Sequence, residues 1–297
     1  MIYVVGSVNL DYVAHVQKLP RPGETVLGSE LRKTPGGKGA NQALAARRAG
    51  AAVRLVACIG RDDDGIAATA SLAESGVDLT SVQKCDMPTG VALIQIDAAA
   101  ENSIAVLPGA NSCLSAGVVR DALSGLKAGN TVILQQEVPQ EATRTAIEMA
   151  RAAGAFSVLN VAPVLPESAS LACLADMVIA NETEFQAIFG QTPTAEAAQE
   201  WCQTTGRRLA LTLGADGAIL AGGDAPRHIR PPKITPVDTV GAGDTFVGYL
   251  AAGLHAHMAP EQALDVAIRA SAQACLYSGA QSAIPWIDQI SVQNLSR

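Results

Sequence analysis

The segment with the clearest catalytic potential is Val237-Asp238-Thr239-Val240-Gly241-Ala242-Gly243-Asp244-Thr245-Phe246, which is followed by an apolar run from Val247 to His255. Glycine lets a backbone approach a ligand closely. The first N–H groups of a helix have no intrahelical partner and carry the positive end of its dipole. The segment therefore predicts an anion site at a helix start. Asp244 would lie beside a phosphate held there, where a carboxylate can accept the proton of an attacking hydroxyl. The spacing alone leaves open that Asp244 only caps the helix.

A second glycine-rich segment, Gly36-Gly37-Lys38-Gly39-Ala40-Asn41-Gln42-Ala43, precedes an alanine-rich helix. It is not a Walker A loop, because Arg32 stands at the first required glycine and Gly39 at the required Ser or Thr. It does not match the dinucleotide fingerprint either, because that pattern needs a glycine where Gln42 stands. The segment still predicts close approach of the backbone to a ligand, with Asn41 able to donate and to accept hydrogen bonds. A glycine-rich turn without a ligand is the alternative.

The segment Gly6-Ser7-Val8-Asn9-Leu10-Asp11 follows the first apolar strand. Alternation along an extended chain puts Asn9 and Asp11 on one side. Two such polar groups at the carboxyl end of a strand can bind a vicinal diol. A turn uses the same residue types, so the segment is weak evidence alone.

The segment Asn181-Glu182-Thr183-Glu184 follows another apolar run. Asn181 and Glu184 have the spacing of a capping box at a helix start. The functional alternative is that these side chains organise Mg²⁺ and its water shell at the phosphates, since Mg²⁺ keeps several waters and takes only one or two carboxylates.

These segments need a scaffold, and apolar runs alternating with helical patterns supply one. Such alternation predicts an α/β fold, with a mostly parallel sheet that has helices on both faces. Ligands of such sheets bind beyond the carboxyl ends of the strands. The predicted strands are Ile2–Val5, Val53–Ile59, Thr131–Leu134, Ser157–Val161, Met177–Ile179 and Leu209–Leu213. The predicted helices are Leu44–Ala49, Gly65–Ser75, Ala116–Leu126, Glu141–Ala153, Thr183–Phe189, Ala195–Thr204, Ala242–His255 and Pro260–Tyr277.

Two regions depart from this alternation. Tyr12–Arg32 is short and alternating, and Thr89–Ile96 with Asn102–Val106 predicts a hairpin joined by Asp97–Glu101. Strands without intervening helices predict a small accessory sheet, which could cover the site as a lid. An edge extension of the main sheet is the alternative. No linker divides the chain, so we expect residues 1–297 to form one domain, with lid strands drawn from about 12–32 and 89–106.

The composition excludes several classes of protein. The chain has 297 residues, of which 48% are hydrophobic, so it can bury a full core and is not disordered. Its net charge is −7, and the nearest approaches to a basic patch are Arg47-Arg48 and Arg207-Arg208. Nucleic-acid binding is therefore not expected. The six scattered cysteines predict buried thiols in a reducing compartment. Without a signal peptide or an apolar span of 18 residues, we expect a cytoplasmic protein that does not enter membranes.

Taken together, the motifs resemble those of the ribokinase-like, or PfkB, carbohydrate kinases. Gly36–Ala43 is similar to the N-terminal signature of that family, Asp238–Asp244 to its C-terminal signature, and Asn181–Glu184 to its N-x-x-E motif. Further similar segments occur in the expected order: Gly6–Asp11, Pro22–Thr25, Thr89–Ala92, Gly109–Asn111 and Thr212–Gly214. The resemblance covers essentially the whole chain. It implies a ribokinase-like three-layer sandwich with a small β-sheet lid, and transfer of the γ-phosphate of ATP to a sugar hydroxymethyl group, with ribose as the leading substrate.

The resemblance also implies roles for individual residues. Asp244 would be the base, and Gly241, Ala242 and Gly243 would form the anion hole for the γ-phosphate. The sugar would be held by Asn9, Asp11, Gly37, Lys38, Gly39, Asn41, Glu137 and Asp244, with Ala92 and Ile104 of the lid over its apolar face. The nucleotide would be bound by Asn181, Thr212, Gly214, Asp216, Gly217 and Gly243.

The resemblance also implies two cation sites and a second subunit. Glu184 would hold Mg²⁺ through water. A K⁺ site would comprise Asp238, Val240 and the carbonyls of Ala274, Tyr277 and Gly279. Ala283 stands where a hydroxyl is usual, and Tyr249 stands where the signature usually has a small residue. We also expect a homodimer formed through the lid, where strand edges are exposed.

Two other functions stay open at this point. A sugar or nucleotide binder without activity would have no need of Asp244. A nicotinamide oxidoreductase is disfavoured, because neither glycine-rich segment matches the dinucleotide fingerprint. Kinases for other sugars or for nucleosides would share most of the predicted sugar site.

Overall fold

The computed structural model describes residues 1–99 and 101–290. The described residues form a nine-stranded sheet and a four-stranded sheet. The strands are β1 Ile2–Val5, β2 Asn9–Val16, β3 Gly28–Gly36, β4 Val53–Gly60, β5 Asp78–Cys85, β6 Gly90–Ile96, β7 Asn102–Leu107, β8 Thr131–Leu134, β9 Phe156–Asn160, β10 Met177–Asn181, β11 Arg208–Thr212, β12 Ala218–Ala221 and β13 Arg227–Ile229. The large sheet has the order β13-β12-β11-β10-β9-β8-β1-β4-β5, and it is parallel from β11 to β5.

Helices cover both faces of the large sheet. They are α1 Lys38–Arg48, α2 Asp63–Glu74, α3 Ala116–Ala122, α4 Gln140–Ala153, α5 Ser168–Ala172, α6 Glu182–Phe189, α7 Ala195–Thr205, α8 Ala242–His255, α9 Pro260–Ala274 and α10 Ala280–Ala283. One core packs α1, α2, α8 and α9 against the sheet, and a second core packs α3 to α7 against the opposite face. Strands buried on both faces explain the continuous runs of Val, Ile and Leu. The result is a three-layer α/β sandwich.

The smaller sheet has the strand order β3-β2-β6-β7. Strand β2 pairs with β3 in antiparallel and with β6 in parallel orientation, and β6 and β7 form an antiparallel hairpin. The predicted hairpin is confirmed, although Ala100 in its connection lies outside the described residues. The alternative of an edge extension is wrong, because these four strands form a sheet of their own. Its strands reach further than expected: β2 begins at Asn9, and β3 ends at Gly36.

The six predicted strands of the large sheet coincide with β1, β4, β8, β9, β10 and β11. Strands β5, β12 and β13 were not predicted. Strand β5 contains Asp78 and Lys84 and lies at the sheet edge, where polar side chains reach water. Helix α1 begins at Lys38 rather than Leu44, because Gly37 turns the chain directly into the helix. Helices α3 and α9 end earlier than predicted, at Ala122 and Ala274.

All six cysteines lie within the described residues and are free thiols, but the expectation that they are buried holds only for Cys58 and Cys202, and Cys173 is exposed. No helix in the described ranges combines the length and apolarity that crossing a bilayer requires.

Candidate active site

A cavity of about 180 Å³ lies at the carboxyl ends of β9, β10 and β11. The start of α8 closes one side of it, and α6 begins at its rim. Its lining residues are Lys38, Asn160, Ala162, Ile179, Ala180, Asn181, Glu184, Thr212, Gly241, Gly243, Asp244, Phe246 and Val247. The two glycine-rich segments and the N-x-x-E motif therefore meet at the sheet edge where ligands of parallel sheets bind.

Asp244 lies in the first turn of α8 and is buried. Its Oδ2 accepts a hydrogen bond from Asn41 Nδ2 at 2.9 Å, and its Oδ1 accepts one from Gln42 Nε2 at 2.8 Å. Within the described residues, the hydrogen bonds of this carboxylate come from α1 and none comes from the backbone of α8. The interpretation of Asp244 as a mere helix cap is therefore wrong.

The start of α8 has the shape of an anion site. Gly241 has φ +76°, and a Cβ there would lie 2.9 Å from Ala280 Cα, so both conformation and packing require glycine. The N–H of Ala242 already donates to Thr239 O at 3.2 Å, so it is less free than the anion-hole expectation requires. A Cβ on Gly243 would meet no atom within 4 Å, because it would point into open space at the cavity. The N–H groups of the first turn that have no intrahelical acceptor belong to residues at the cavity wall, since Gly241, Gly243 and Asp244 line it.

Close backbone contact joins α1 to the start of β2. Gly37 has φ +89°, and a Cβ there would lie 2.7 Å from Asn9 N. Glu137 Oε2 accepts hydrogen bonds from Ser7 Oγ at 2.6 Å and from the Lys38 N–H at 3.1 Å. Gly39 is buried in the first turn of α1, and its N–H donates to Ser7 Oγ at 3.3 Å. These contacts place Glu137 beside the glycine-rich segment, and its role in binding the sugar stays a prediction.

Asn9 and Asp11 lie on β2 of the smaller sheet and not at the end of β1, so their expected location at the end of the first strand is wrong. Because they are two residues apart on one strand, they do share a face. Asn9 Oδ1 accepts a hydrogen bond from Asn111 Nδ2 at 2.8 Å, which fixes the orientation of its amide. The register pairs Asp11 with Ala92, so these two side chains point the same way.

Two carboxylates, Glu137 and Asp244, and one cation, Lys38, influence the charge of Asp11. Burial, together with the charges of Glu137 and Asp244, raises the pKa of Asp11 to about 7 against the opposing effect of Lys38. Burial also works against the charge of Lys38, but Asp244, Glu137, Glu184 and Asp11 together raise its pKa. Lys38 and Asp244, which line the cavity, are therefore close enough to Asp11 and Glu137 for their charges to interact.

The two lid residues lie on the Asp11 face of the smaller sheet. Ala92 is buried, whereas Ile104 is 54% exposed and does not line the cavity. Ile104 pairs with Ile94, two positions along from Ala92, so both residues point to the same side. Their contact with a sugar stays a prediction.

The predicted nucleotide residues divide into two groups. Asn181, Thr212 and Gly243 line the cavity, and Asn181 pairs with Thr212 across β10 and β11. Gly214, Asp216 and Gly217 form the turn between β11 and β12, next to the cavity but outside its lining.

Asn181 and Glu184 form a capping box at the start of α6. Asn181 Oδ1 accepts from the Glu184 N–H, and Glu184 Oε2 accepts from the Asn181 N–H, each at 2.8 Å. The capping interpretation is confirmed, and it does not exclude the functional one. The cap holds Glu184 at the cavity wall and leaves its second oxygen without a partner among the described side chains. One carboxylate at a phosphate-sized opening fits the limited demand of Mg²⁺ for protein ligands.

The predicted potassium residues come together next to the anion site. Asp238 Oδ1 accepts from the Val240 N–H at 3.0 Å, and Oδ2 accepts from the Gly279 N–H at 2.9 Å. Ala274 and Tyr277 belong to the same turn, since the Tyr277 N–H donates to Ala274 O at 3.1 Å. A carboxylate among carbonyl oxygens is a donor set that suits a monovalent cation. Binding of K⁺ by these residues stays a prediction, and the side chain of the buried Ala283 adds no oxygen to the set.

Several polar residues that complete the site had no role predicted from the sequence. Asn160 lines the cavity and Asn111 orients Asn9. Ser7 binds Glu137, and Gln42 binds Asp244. Asn160 was detectable, because it is a polar residue at the carboxyl end of a predicted strand.

Comparisons with known proteins agree with this geometry. The model of the pfkB family carbohydrate kinases matches residues 1–287. The ribokinase of Haemophilus influenzae is 36% identical over 292 residues, which cover 95% of this chain and 94% of that protein. The deoxyribokinase of Salmonella typhi is 32% identical, with coverage of 98% and 97%. The structure of Arabidopsis thaliana ribokinase complexed with ribose and ATP shares 29% identity and a TM-score of 0.87, covering 97% of this chain and 96% of that one. The predicted three-layer fold with a smaller sheet is confirmed.

Proposed function

The chain belongs to the pfkB family of carbohydrate kinases and is an ATP-dependent sugar kinase, and we propose that it phosphorylates the hydroxymethyl group of D-ribose to give ribose 5-phosphate. One observation carries the proposal. The Asp244 carboxylate lies in the first turn of α8, where a helix start favours anions, and beside a cluster of buried polar groups that suits a small polyol. A binder without activity would not need this carboxylate.

The acceptor sugar would lie between the smaller sheet and the start of α1. Asp11 would accept hydrogen bonds from two neighbouring hydroxyls, with Asn9 beside it. Asn41 Oδ1 is buried without a partner among the described residues, so it can accept a hydrogen bond from a further hydroxyl. Glu137, held by Ser7, would bind another. Gly37, Lys38 and Gly39 would contribute backbone groups, and Ala92 and Ile104 would cover the apolar side.

Phosphoryl transfer then follows from the position of Asp244. The sugar hydroxyl passes its proton to Asp244 while its oxygen forms a bond to the γ-phosphorus, and the bond to the β-phosphate oxygen breaks to release ADP. The N–H groups of Gly243 and its neighbours at the start of α8 would stabilise the charge on the transferring group. Lys38 would add a positive charge between the two substrates.

ATP would occupy the cavity and the adjoining turn. Asn181 and Thr212 would contact it from the strand ends, and Gly214, Asp216 and Gly217 from the turn after β11. Glu184 would hold Mg²⁺ through water, and the ion would neutralise phosphate charge. Asp238 with the carbonyls of Val240, Ala274, Tyr277 and Gly279 would hold K⁺, which supplies positive charge next to the anion site.

A homodimer through the smaller sheet completes the proposal. Leu31, Leu93 and Leu107 lie on the face opposite Asp11 and are 47–63% exposed. Burying such an apolar face is favourable. Sedimentation equilibrium at micromolar concentration tests this, and a monomer would contradict it.

The cytoplasmic location and the lack of nucleic-acid and membrane partners stay predictions.

2-Deoxyribose is the second candidate substrate, because the Salmonella typhi relative is a deoxyribokinase. The test is ATP-dependent phosphorylation of ribose, 2-deoxyribose, hexoses and nucleosides, with the position of the phosphate assigned by phosphorus NMR. We expect the highest kcat/KM with ribose and a 5-phosphate product. A higher kcat/KM with any other sugar or with a nucleoside would refute the proposed substrate, and no phosphorylation of any of them would refute the kinase assignment.

A further inference from the structure

Two glutamines behind the catalytic carboxylate have no part in the mechanism above. Gln42 follows Asn41 on α1, and Gln135 follows β8; both are completely buried. Gln135 Nε2 donates to Gln42 Oε1 at 2.6 Å, and Gln42 Nε2 donates to Asp244 Oδ1 at 2.8 Å. A continuous chain of hydrogen bonds therefore runs from the end of β8 to the carboxylate.

This chain has only one consistent direction. A carboxylate accepts hydrogen bonds and cannot donate them, so Gln42 must present its nitrogen to Asp244. Its oxygen then faces Gln135, which must present a nitrogen in turn. Flipping either amide would bring two oxygens together at hydrogen-bond distance. The network thus fixes both amide orientations independently of how each was assigned.

The network holds one of the two carboxylate oxygens of Asp244. The terminal torsion of an aspartate has broad preferences, so rotamer strain alone does not fix the plane of the carboxylate. Gln42 holds Oδ1, whereas the partner of Oδ2 is Asn41, which is also a proposed sugar ligand. The two oxygens therefore differ: Oδ1 lies on the side of the buried network, and Oδ2 on the side of the sugar.

The backbone makes room for Gln135. A Cβ on Gly6 would lie 1.8 Å from Gln135 Oε1, so any other residue at position 6 would displace this side chain. The same Cβ would also lie 2.9 Å from Gly39 Cα, so the packing of α1 requires a glycine directly after β1 as well.

We propose that Gln42 is a positioning residue that orients Asp244 with Oδ2 towards the acceptor hydroxyl, and that Gln135 keeps Gln42 in the donating orientation. The inference rests on the proposed role of Asp244 as the base. Neither glutamine lines the cavity, so their effect on the reaction passes through the carboxylate.

The test compares Gln42→Met and Gln135→Met with the control Gln136→Met. Methionine keeps the approximate length and volume of the side chain but cannot donate to a carboxylate. Gln136 is also buried and adjoins Gln135, but it donates to Pro163 O and Ser168 Oγ, away from Asp244. Thermal unfolding establishes that each variant folds. Kinetics with ribose and ATP then separate kcat from the two KM values.

We expect kcat to fall about 10- to 100-fold in Gln42→Met, because a misplaced catalytic group has effects of that order. Both KM values should stay within about threefold of the wild type. Gln135→Met should lower kcat by at least fivefold, and Gln136→Met by less than twofold. If Gln42→Met does not fold, the kcat of Gln135→Met becomes the deciding measurement.

A drop in kcat of less than fivefold in the deciding variant, or an equal loss in Gln136→Met, would overturn the positioning role. A rise in KM at constant kcat would also overturn the positioning role, because the glutamine would then contribute to substrate binding and not to the orientation of Asp244. If the wild type does not phosphorylate any sugar, the proposed function fails instead, so the two failures are distinguishable.

Discussion

Replacing Asp11 by Asn tests the electrostatics of the polar cluster directly. In the folded protein, burial and the charges of Glu137 and Asp244 raise the pKa of Asp11 from its ordinary value of 3.8 to about 7. In the unfolded chain the group returns to its ordinary value. Between these two pKa values the native state keeps a proton that the unfolded state releases. The free energy of unfolding therefore falls as the pH rises from about 4 to about 7, and then levels off.

The shift of about three pKa units sets the magnitude. At pH 8 this shift lowers the free energy of unfolding by about 4 kcal/mol. At pH 5 the loss is only about 2 kcal/mol, because the pH is then only slightly above the pKa of Asp11 in the unfolded chain. Asn has nearly the same shape and no charge. We therefore expect Asp11→Asn to stabilise the protein, with a gain that grows by about 2 kcal/mol between pH 5 and pH 8.

Urea unfolding at pH 5 and at pH 8 measures this difference. Asp86→Asn is the matched control, because the Asp86 side chain is 99% exposed and its loss should change stability by less than about 0.5 kcal/mol at either pH. A gain for Asp11→Asn that is equal at both pH values would refute the electrostatic origin of the effect. Destabilisation at pH 8 would refute the repulsive cluster altogether.

The remaining predictions concern activity. Asp244→Asn should lower kcat by about 10²- to 10⁴-fold while the ribose Kd from calorimetry stays within about tenfold; near-wild-type kcat would exclude Asp244 as the base. Gly243→Val should worsen kcat and the ATP KM by at least about tenfold, because its side chain would fill the open cavity rather than distort the loop. The control Gly223→Val also adds atoms in open space, and an unchanged ATP KM in Gly243→Val would contradict the phosphate site. Asp11→Ala should lower kcat/KM for ribose at least about tenfold with the ATP KM unchanged, and the wild type should prefer ribose to 2-deoxyribose. Equal kcat/KM for the two sugars would refute diol binding by Asn9 and Asp11.

The sequence predicted those parts of the fold that local pattern controls. Alternating apolar runs located the six strands that are now β1, β4, β8, β9, β10 and β11, because burial on both faces leaves a continuous apolar signal. Strand β5 escaped detection because an edge position lets Asp78 and Lys84 reach water. The start of α1 was placed too late, because glycine-rich residues at its first turn have low helix propensity although the tertiary contacts of Gly37 favour the helix there.

The sequence predicted the site only where its residues are neighbours along the chain. Asp244 and the glycines beside it are adjacent in sequence, so their shared location was evident. The contact of Asp244 with Gln42 was not, because the two lie 202 residues apart and neither segment indicates the other; Asn41, 203 residues away, was linked to Asp244 only through the family resemblance. The occupied N–H of Ala242 was missed for a similar reason, since it depends on the turn geometry at Thr239.

The separation between Asn41 and Asp244 also has a consequence for biosynthesis. At about 5–20 residues per second, the ribosome needs roughly 10–40 s to add the residues between them. During that interval α1 can already have formed, but the helix that carries the carboxylate does not yet exist. A nascent chain can therefore assemble much of its second core, which α3 to α7 form, while it is still chemically inert. The activity arises only when the last third of the polypeptide has left the ribosome and packed against the first.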